Sequence, residues 1–176
     1  MIKDSGQRTE FETGAVRDVQ SGKGRCDLLP LHELANYAQY LGKEMVPSVL
    51  DNIYFFTQSG KVDFLFNALE WFCGLSDFDG FADMALEVSI HFEEGARKYA
   101  ERNWEKGIPI SRYVDSALRH FLKFVRGDED ERHDRAFVWN VLCACWTVAH
   151  RPEMIDYSWK PKAPEGCAAD DEGPDI

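Results

Sequence analysis

The chain has 176 residues, 44% of them hydrophobic, which is one domain's worth of chain with enough apolar material to bury a real core. Its formal net charge of −11 argues against nonspecific binding to a nucleic-acid backbone, so no nucleic-acid polymer is expected as a partner. The opening residues, Met1 to Arg8, hold no apolar stretch for a secretory signal, and no run reaches the length of a membrane span. No membrane partner is expected, and a cytoplasmic location is.

Residues 1–30 read as an extended, polar, glycine-rich arm with a turn, ending in Gly22-Lys-Gly-Arg-Cys-Asp-Leu-Leu-Pro30. A first helix is predicted over 31–41, with Leu34, Tyr37, Ala38 and Leu41 on one side. Pro47-Ser48 punctuates, and Ser48 is the expected cap of a second helix through Phe56. After Ser59-Gly60 a very apolar helix is expected over 62–72; its aromatics suit a core or an oligomer contact. Ser76 or Asp77 would cap the next and longest helix, 78–102. Pro109 breaks the chain, and Ser111 is the expected cap of a helix through Val125. The acidic run Asp128 to Glu131 suits the positive end of a last helix, 130–149. Beyond Pro152 periodicity is lost, and residues 157–176 read as a disordered acidic tail. No segment alternates convincingly as a strand. The fold class expected is all-α, a helical bundle over 31–156, with sites between facing helices.

The five cysteines are an odd number without CxxC spacing, which fits reduced, mostly buried thiols better than zinc or disulfides. Chemistry concentrates elsewhere. On a helix over 87–101, Glu87, His91, Glu94 and Lys98 share a face. Carboxylates with an imidazole can hold a divalent cation, and a lysine beside them can meet phosphate. The plain alternative is a solvated face carrying i,i+4 pairs. Asn103-Trp104 adds a polar-aromatic turn. On the next helix Asp115, Arg119 and His120 offer a metal ligand with phosphate-binding groups, or simply a helix salt bridge. The last helix opens with Asp130, His133 and Asp134 in one turn, again a metal set or an acidic cap, with Asn140 further along. Bound divalent cations would neutralise a polyphosphate and activate water, which is what cleavage of a phosphoanhydride needs. His91 with the dyad His133-Asp134 also offers an HD-type phosphohydrolase pattern, although a later helical Asp is missing.

The segments Thr13-Gly-Ala-Val-Arg-Asp18, Gly22-Lys-Gly-Arg-x-Asp-Leu-Leu-Pro30, Gly95-Ala-x-Lys-Tyr99, Arg102-Asn-Trp104, Ala117-Leu-Arg-His120 and Trp139-Asn140 occur in this order. Together they resemble the dATP/dGTP diphosphohydrolase family, MazZ-like members of the MazG-related all-α NTP pyrophosphatase superfamily. The resemblance implies a MazG-like bundle, here with two extra helices inserted at 44–80. It implies an enzyme dependent on Mg2+ or Mn2+ that converts dGTP or dATP to the monophosphate and pyrophosphate, as in phage nucleotide-pool control. It implies a homo-oligomer, dimer or tetramer. The family's paired acidic motifs map onto His91-x-x-Glu94, with Glu87 a turn earlier, and onto Glu131-x-x-Asp134, with Asp115 or Asp130 as alternative ligands. Glu94 and His91 are thus the expected catalytic groups. Lys23, Arg25 and Asp27 are expected near the nucleotide by resemblance, alongside Lys98, Asn103, Trp104, Arg119, His120 and Asn140. A nucleotide-binding protein without turnover is the other class open at this point.

Overall fold

The computed structural model describes residues 6–159. Six helices make up the body: α1 (Leu31–Tyr40), α2 (Val46–Ser59), α3 (Val62–Leu75), α4 (Gly80–Tyr99), α5 (Ile110–Arg126) and α6 (His133–His150). The all-α expectation holds, with one addition. The N-terminal arm forms a two-stranded antiparallel hairpin, β1 (Arg8–Glu10) and β2 (Val16–Asp18), in which Arg8 faces Asp18. Three-residue strands are too short for alternation to register. The predicted tail beyond residue 159 lies outside the described residues, as does Cys167. The other four cysteines are free thiols.

Helix α5 shows why the pattern was readable. Ile110, Tyr113, Val114, Ala117, Leu118 and Phe121 recur at helical spacing and are all buried, and Gly127 closes the helix in the left-handed conformation. Helix α6 is different. Ala136, Phe137, Val138, Val141, Cys143 and Ala144 point in several directions and are all buried, because α6 packs against α3, α4 and α5. It is the central helix.

The caps differ from those the sequence suggested. Helix α2 starts at Val46, before Ser48, with Pro47 in its first turn where the missing N–H costs nothing. Neither Ser76 nor Asp77 caps α4; the Asp79 N–H donates to the Asp83 carboxylate at 3.0 Å and the helix starts at Gly80. It ends at Tyr99, short of Arg102, because Ala100 and Arg102 both adopt positive φ. Ser111 is no cap either. It lies inside the first turn of α5, and its N–H donates to Asp156 at 2.9 Å, so a carboxylate from beyond α6 satisfies an orphan amide. Helix α6 begins at His133 rather than Asp130.

Helix α3 enters the core through Phe72. Its ring lies 4.3 Å from that of Phe137 on α6, and 5.1 and 6.2 Å from Phe124 and Phe121 on α5. These contacts tie the first three helices to the last two. Phe72→Ala is expected to cost about 3–5 kcal/mol of unfolding free energy. Phe66→Ala, at an exposed position on the same helix, should stay within roughly 0.5 kcal/mol. Urea denaturation of both variants checks the pair, and equal losses would contradict this packing.

Candidate active site

The hairpin is stitched to the loop between α4 and α5. The Asn103 carboxamide accepts the Val16 N–H at 2.9 Å and donates to the Val16 carbonyl at 2.8 Å. The Thr13 hydroxyl donates to the Gly107 carbonyl at 2.6 Å. This fixes strand β2 across the open ends of α4, α5 and α6 and closes a cavity of about 530 Å³. Arg17 and Asp18 are thereby aimed into it.

The cavity is cationic in an acidic protein. Arg17, Lys23, Lys98, Arg102, Arg112, Arg119 and Lys123 line it, against Asp18, Asp115 and Glu131. Those three acids are engaged. Asp18 meets Arg8 at 2.8 Å, Lys23 at 3.3 Å and Lys98 at 3.4 Å. Asp115 pairs with Arg119 and accepts from Gln20 and from the Cys26 N–H, each at 2.7 Å. Burial would raise its pKa, but these hydrogen bonds outweigh burial and hold it below the ordinary carboxylate value. Glu131 lies against two histidines.

Arg17 has no carboxylate partner among the described residues. Its Nη2 donates to the Asn140 Oδ1 at 2.8 Å, and its guanidinium lies over the rings of Tyr113 and Trp139, 5.1 and 5.6 Å from their centroids. Burial lowers its pKa, and neighbouring Arg119 adds to the effect. Arg112 beside it pairs with the neutral Gln20 amide, and its pKa too is lowered by burial and then by Arg17. A desolvated cation without a counter-charge is costly unless a ligand supplies one. Two buried N–H donors among the lining residues, Arg119 Nε and Trp139 Nε1, also have no acceptor. The cavity is built for an anion rich in acceptors.

The apolar wall is aromatic. Trp104 meets Phe92 and Trp146 edge-on at 5.6 and 5.0 Å, and Trp139 packs on Phe92 and His91. His91 is desolvated there, which lowers its pKa to about 4 against a smaller opposing pull from Glu94. His120 is also held neutral, by burial and then by His133 and Arg119.

Of the groups expected from sequence, Lys23, His91, Lys98, Asn103, Trp104, Asp115, Arg119, His120, Glu131 and Asn140 line the cavity. Asn103 and Asn140 turn their amides to the hairpin, to Arg17 and, for Asn140, also to the Ala136 carbonyl. Arg25 and Asp27 do not line it; they pair with each other at 2.7 and 2.5 Å. Glu94 and Asp130 are also outside the lining. Glu87 is clamped by Arg135 and Arg132, and Asp134 by Arg132. Burial would raise the Asp134 pKa, but hydrogen bonds from Arg132 and the Arg135 backbone, with the charges of both arginines, together lower it. Among the described residues, Glu87, Glu94, Asp115 and Asp134 join no group of three ligand atoms close enough to share an ion, and neither does His91. The carboxylates do not make the facing acidic set that magnesium prefers, and His91 does not meet His133-Asp134 as an HD site would. Arg17, Gln20, Arg112 and Trp139 were not singled out as site residues. Arg17 and Trp139 do stand inside the segments that carry the resemblance.

Residues 73–157 match the family model described as dATP/dGTP diphosphohydrolase, N-terminal. Over this segment the chain is similar to that family. No curated protein and no solved structure matches it. The matched segment runs from the end of α3 past α6, so it includes α4, α5 and α6, the three helical walls of the cavity. Helix α2 and most of α3, read from sequence as an insert, lie before it. No helix among the described residues is long and apolar enough to cross a membrane.

The buried histidines make stability sensitive to acid. A histidine whose folded pKa is depressed contributes fully above its unfolded value, near 6.5, and that contribution is lost as pH falls toward the folded value. For His91 the window runs from about pH 6.5 down to about 4. The loss is about 2 kcal/mol by pH 5. His91→Phe should therefore lose about 2 kcal/mol less than the parent between pH 7.5 and 5, read by urea denaturation at both values. An identical pH dependence would place His91 in water.

Proposed function

We propose that this protein hydrolyses a purine deoxynucleoside triphosphate, dGTP or dATP, between its α- and β-phosphates. Water adds to the α-phosphorus, the bond to the bridging oxygen breaks, and the products are the monophosphate, pyrophosphate and one proton. The observation that carries the reading is Arg17, a desolvated guanidinium on the cavity wall with no carboxylate partner among the described residues. A triphosphate supplies the missing negative charge, and its oxygens match the open donors of Arg119 and Trp139. A family name that specifies dATP and dGTP gives the same substrate class.

In this reading Arg17, Arg112 and Arg119 grip the phosphates, and Lys23 and Lys98 are drawn off Asp18 to the outer ones. The Trp104–Phe92 wall stacks the purine. His91, neutral on the wall, receives the proton of the attacking water, and the nearby charge of Glu94 favours that transfer. Magnesium or manganese is expected to accompany the triphosphate. Because arginines occupy Glu87, Asp115 and Asp134, no step is assigned to an ion held by those carboxylates. A homo-oligomer belongs to the same proposal; Phe81 and Leu86 on α4 are 80% and 69% exposed, as an apolar contact between copies would need. The activity would drain purine deoxynucleotides from the triphosphate pool, which suits a role in phage nucleotide control.

The test is release of pyrophosphate and monophosphate from a panel of dNTPs and NTPs, with magnesium or manganese present. One pyrophosphate per dGMP or dAMP is expected. Arg17→Gln should lower kcat/KM on the order of a hundredfold. Arg25→Gln, paired outside the cavity, should stay within a few-fold. Folded protein that releases no pyrophosphate from any nucleotide would sink the proposal, and orthophosphate in its place would move the cleaved bond.

A further inference from the structure

Where α5 meets the start of α6, three ligand atoms converge in a way the proposed reaction does not require. The Nδ1 atoms of His120 and His133 lie 3.0 Å apart, and the Glu131 Oε1 lies 3.2 and 3.6 Å from them. Ligands about 2.0–2.2 Å from a common ion sit roughly 2.8–3.6 Å from one another in octahedral or tetrahedral geometry. The triangle has those dimensions with nothing moved.

The ring orientations fit as well. His133 is buried, and its Nε2 meets the Asp130 Oδ1 at 2.7 Å. Acting as the donor there, Nε2 carries the proton and leaves the Nδ1 lone pair facing the triangle. A carboxylate behind a histidine in this way is the arrangement that orients histidine ligands in metal proteins. Asp130 is itself steadied by Lys123 at 3.2 Å. The second close group, Asp128, Asp130 and His133, is less suited to an ion, because it would use this same Nε2, and Asp128 is held by Arg126.

We infer that His120, Glu131 and His133 form a binding site for one divalent first-row transition ion, such as Zn2+ or Co2+, with its open coordination positions facing the nucleotide cavity. Two imidazoles and one carboxylate are poor company for magnesium, which prefers oxygen, and good company for zinc or cobalt. His120 and Glu131 line the cavity while His133 is closed behind them, so the free face of the triangle is the cavity face. The His133 side chain is fully buried, while that of His120 is 16% exposed and reaches the cavity. The nearest guanidinium, Arg119, is offset by Asp115. Binding at this site does not depend on the proposed reaction, since an ion can be held with or without turnover.

Metal-free full-length protein titrated with Co2+, followed by its visible absorption and by calorimetry, tests the site. One equivalent is expected, with d–d bands of nitrogen and oxygen ligation. A tenfold or larger loss of affinity is expected in His120→Asn and in Glu131→Gln. Zn2+ should displace the cobalt, and a hundredfold excess of Mg2+ should not. His133→Ala is avoided as the sole variant because its ring fills the core; circular dichroism confirms that the other two are folded. Absence of binding, unchanged affinity in both folded variants, thiolate charge-transfer bands or displacement by magnesium would each overturn the assignment. Pyrophosphate release is measured separately, so loss of the reaction and loss of the metal site give different results.

Discussion

The cavity depends on one constraint: a guanidinium taken out of water must be surrounded without being neutralised. Arg17 meets it with an amide oxygen, a backbone carbonyl and two aromatic faces. A carboxylate in place of Asn140 would have made a conventional buried pair, more stable and closed to an anion. The carboxamide holds the geometry and leaves the charge unspent. The same constraint explains the hairpin. Strand β2 carries Arg17 and Asp18, and it stays in place because Asn103 completes its hydrogen bonding from the other side of the cavity.

Much of the fold was legible, because its information is local. Apolar spacing and turn residues located all six helices, and the bounds of 111–125 read for α5 fall within one residue of those observed. The caps were less legible because tertiary contacts supply them: Asp156 reaches the start of α5 from 45 residues away. Spacing places side chains on one face of a helix but says nothing about what faces them. Glu87, His91, Glu94 and Lys98 do share a helix, yet Arg132 and Arg135 of α6 occupy Glu87, and Asp18 of the hairpin meets Lys98. Arg17 was hard to find for the complementary reason. A lone arginine in a polar arm has no pattern, and only its burial between Tyr113 and Trp139 makes it unusual.

Charge is distributed in two registers. Over the whole chain acids outnumber bases by 31 to 20, a net charge that keeps polyanions at a distance. Inside the cavity the balance reverses, and the acids present are used to aim cations. Asp18 gathers Arg8, Lys23 and Lys98, while Asp115 fixes Arg119. These pairs matter less for stability than for position. A nucleotide small enough to enter meets concentrated positive potential, whereas a long polyanion meets the acidic exterior first.

The histidines divide between the two ends of the site, and their environments separate their roles. His91 stands on the aromatic wall beside Trp139, where burial favours the uncharged ring. His120 stands against His133 and Glu131, where one proton can be shared between the two Nδ1 atoms but a proton on each would set them against one another. Two rings and a carboxylate about 3 Å apart can be satisfied in two ways, by a shared proton or by a shared cation. A proton serves one pair of atoms at a time, whereas an ion at the centre serves all three. That asymmetry favours the ion, and it arises because Asp130 has already claimed the far nitrogen of His133.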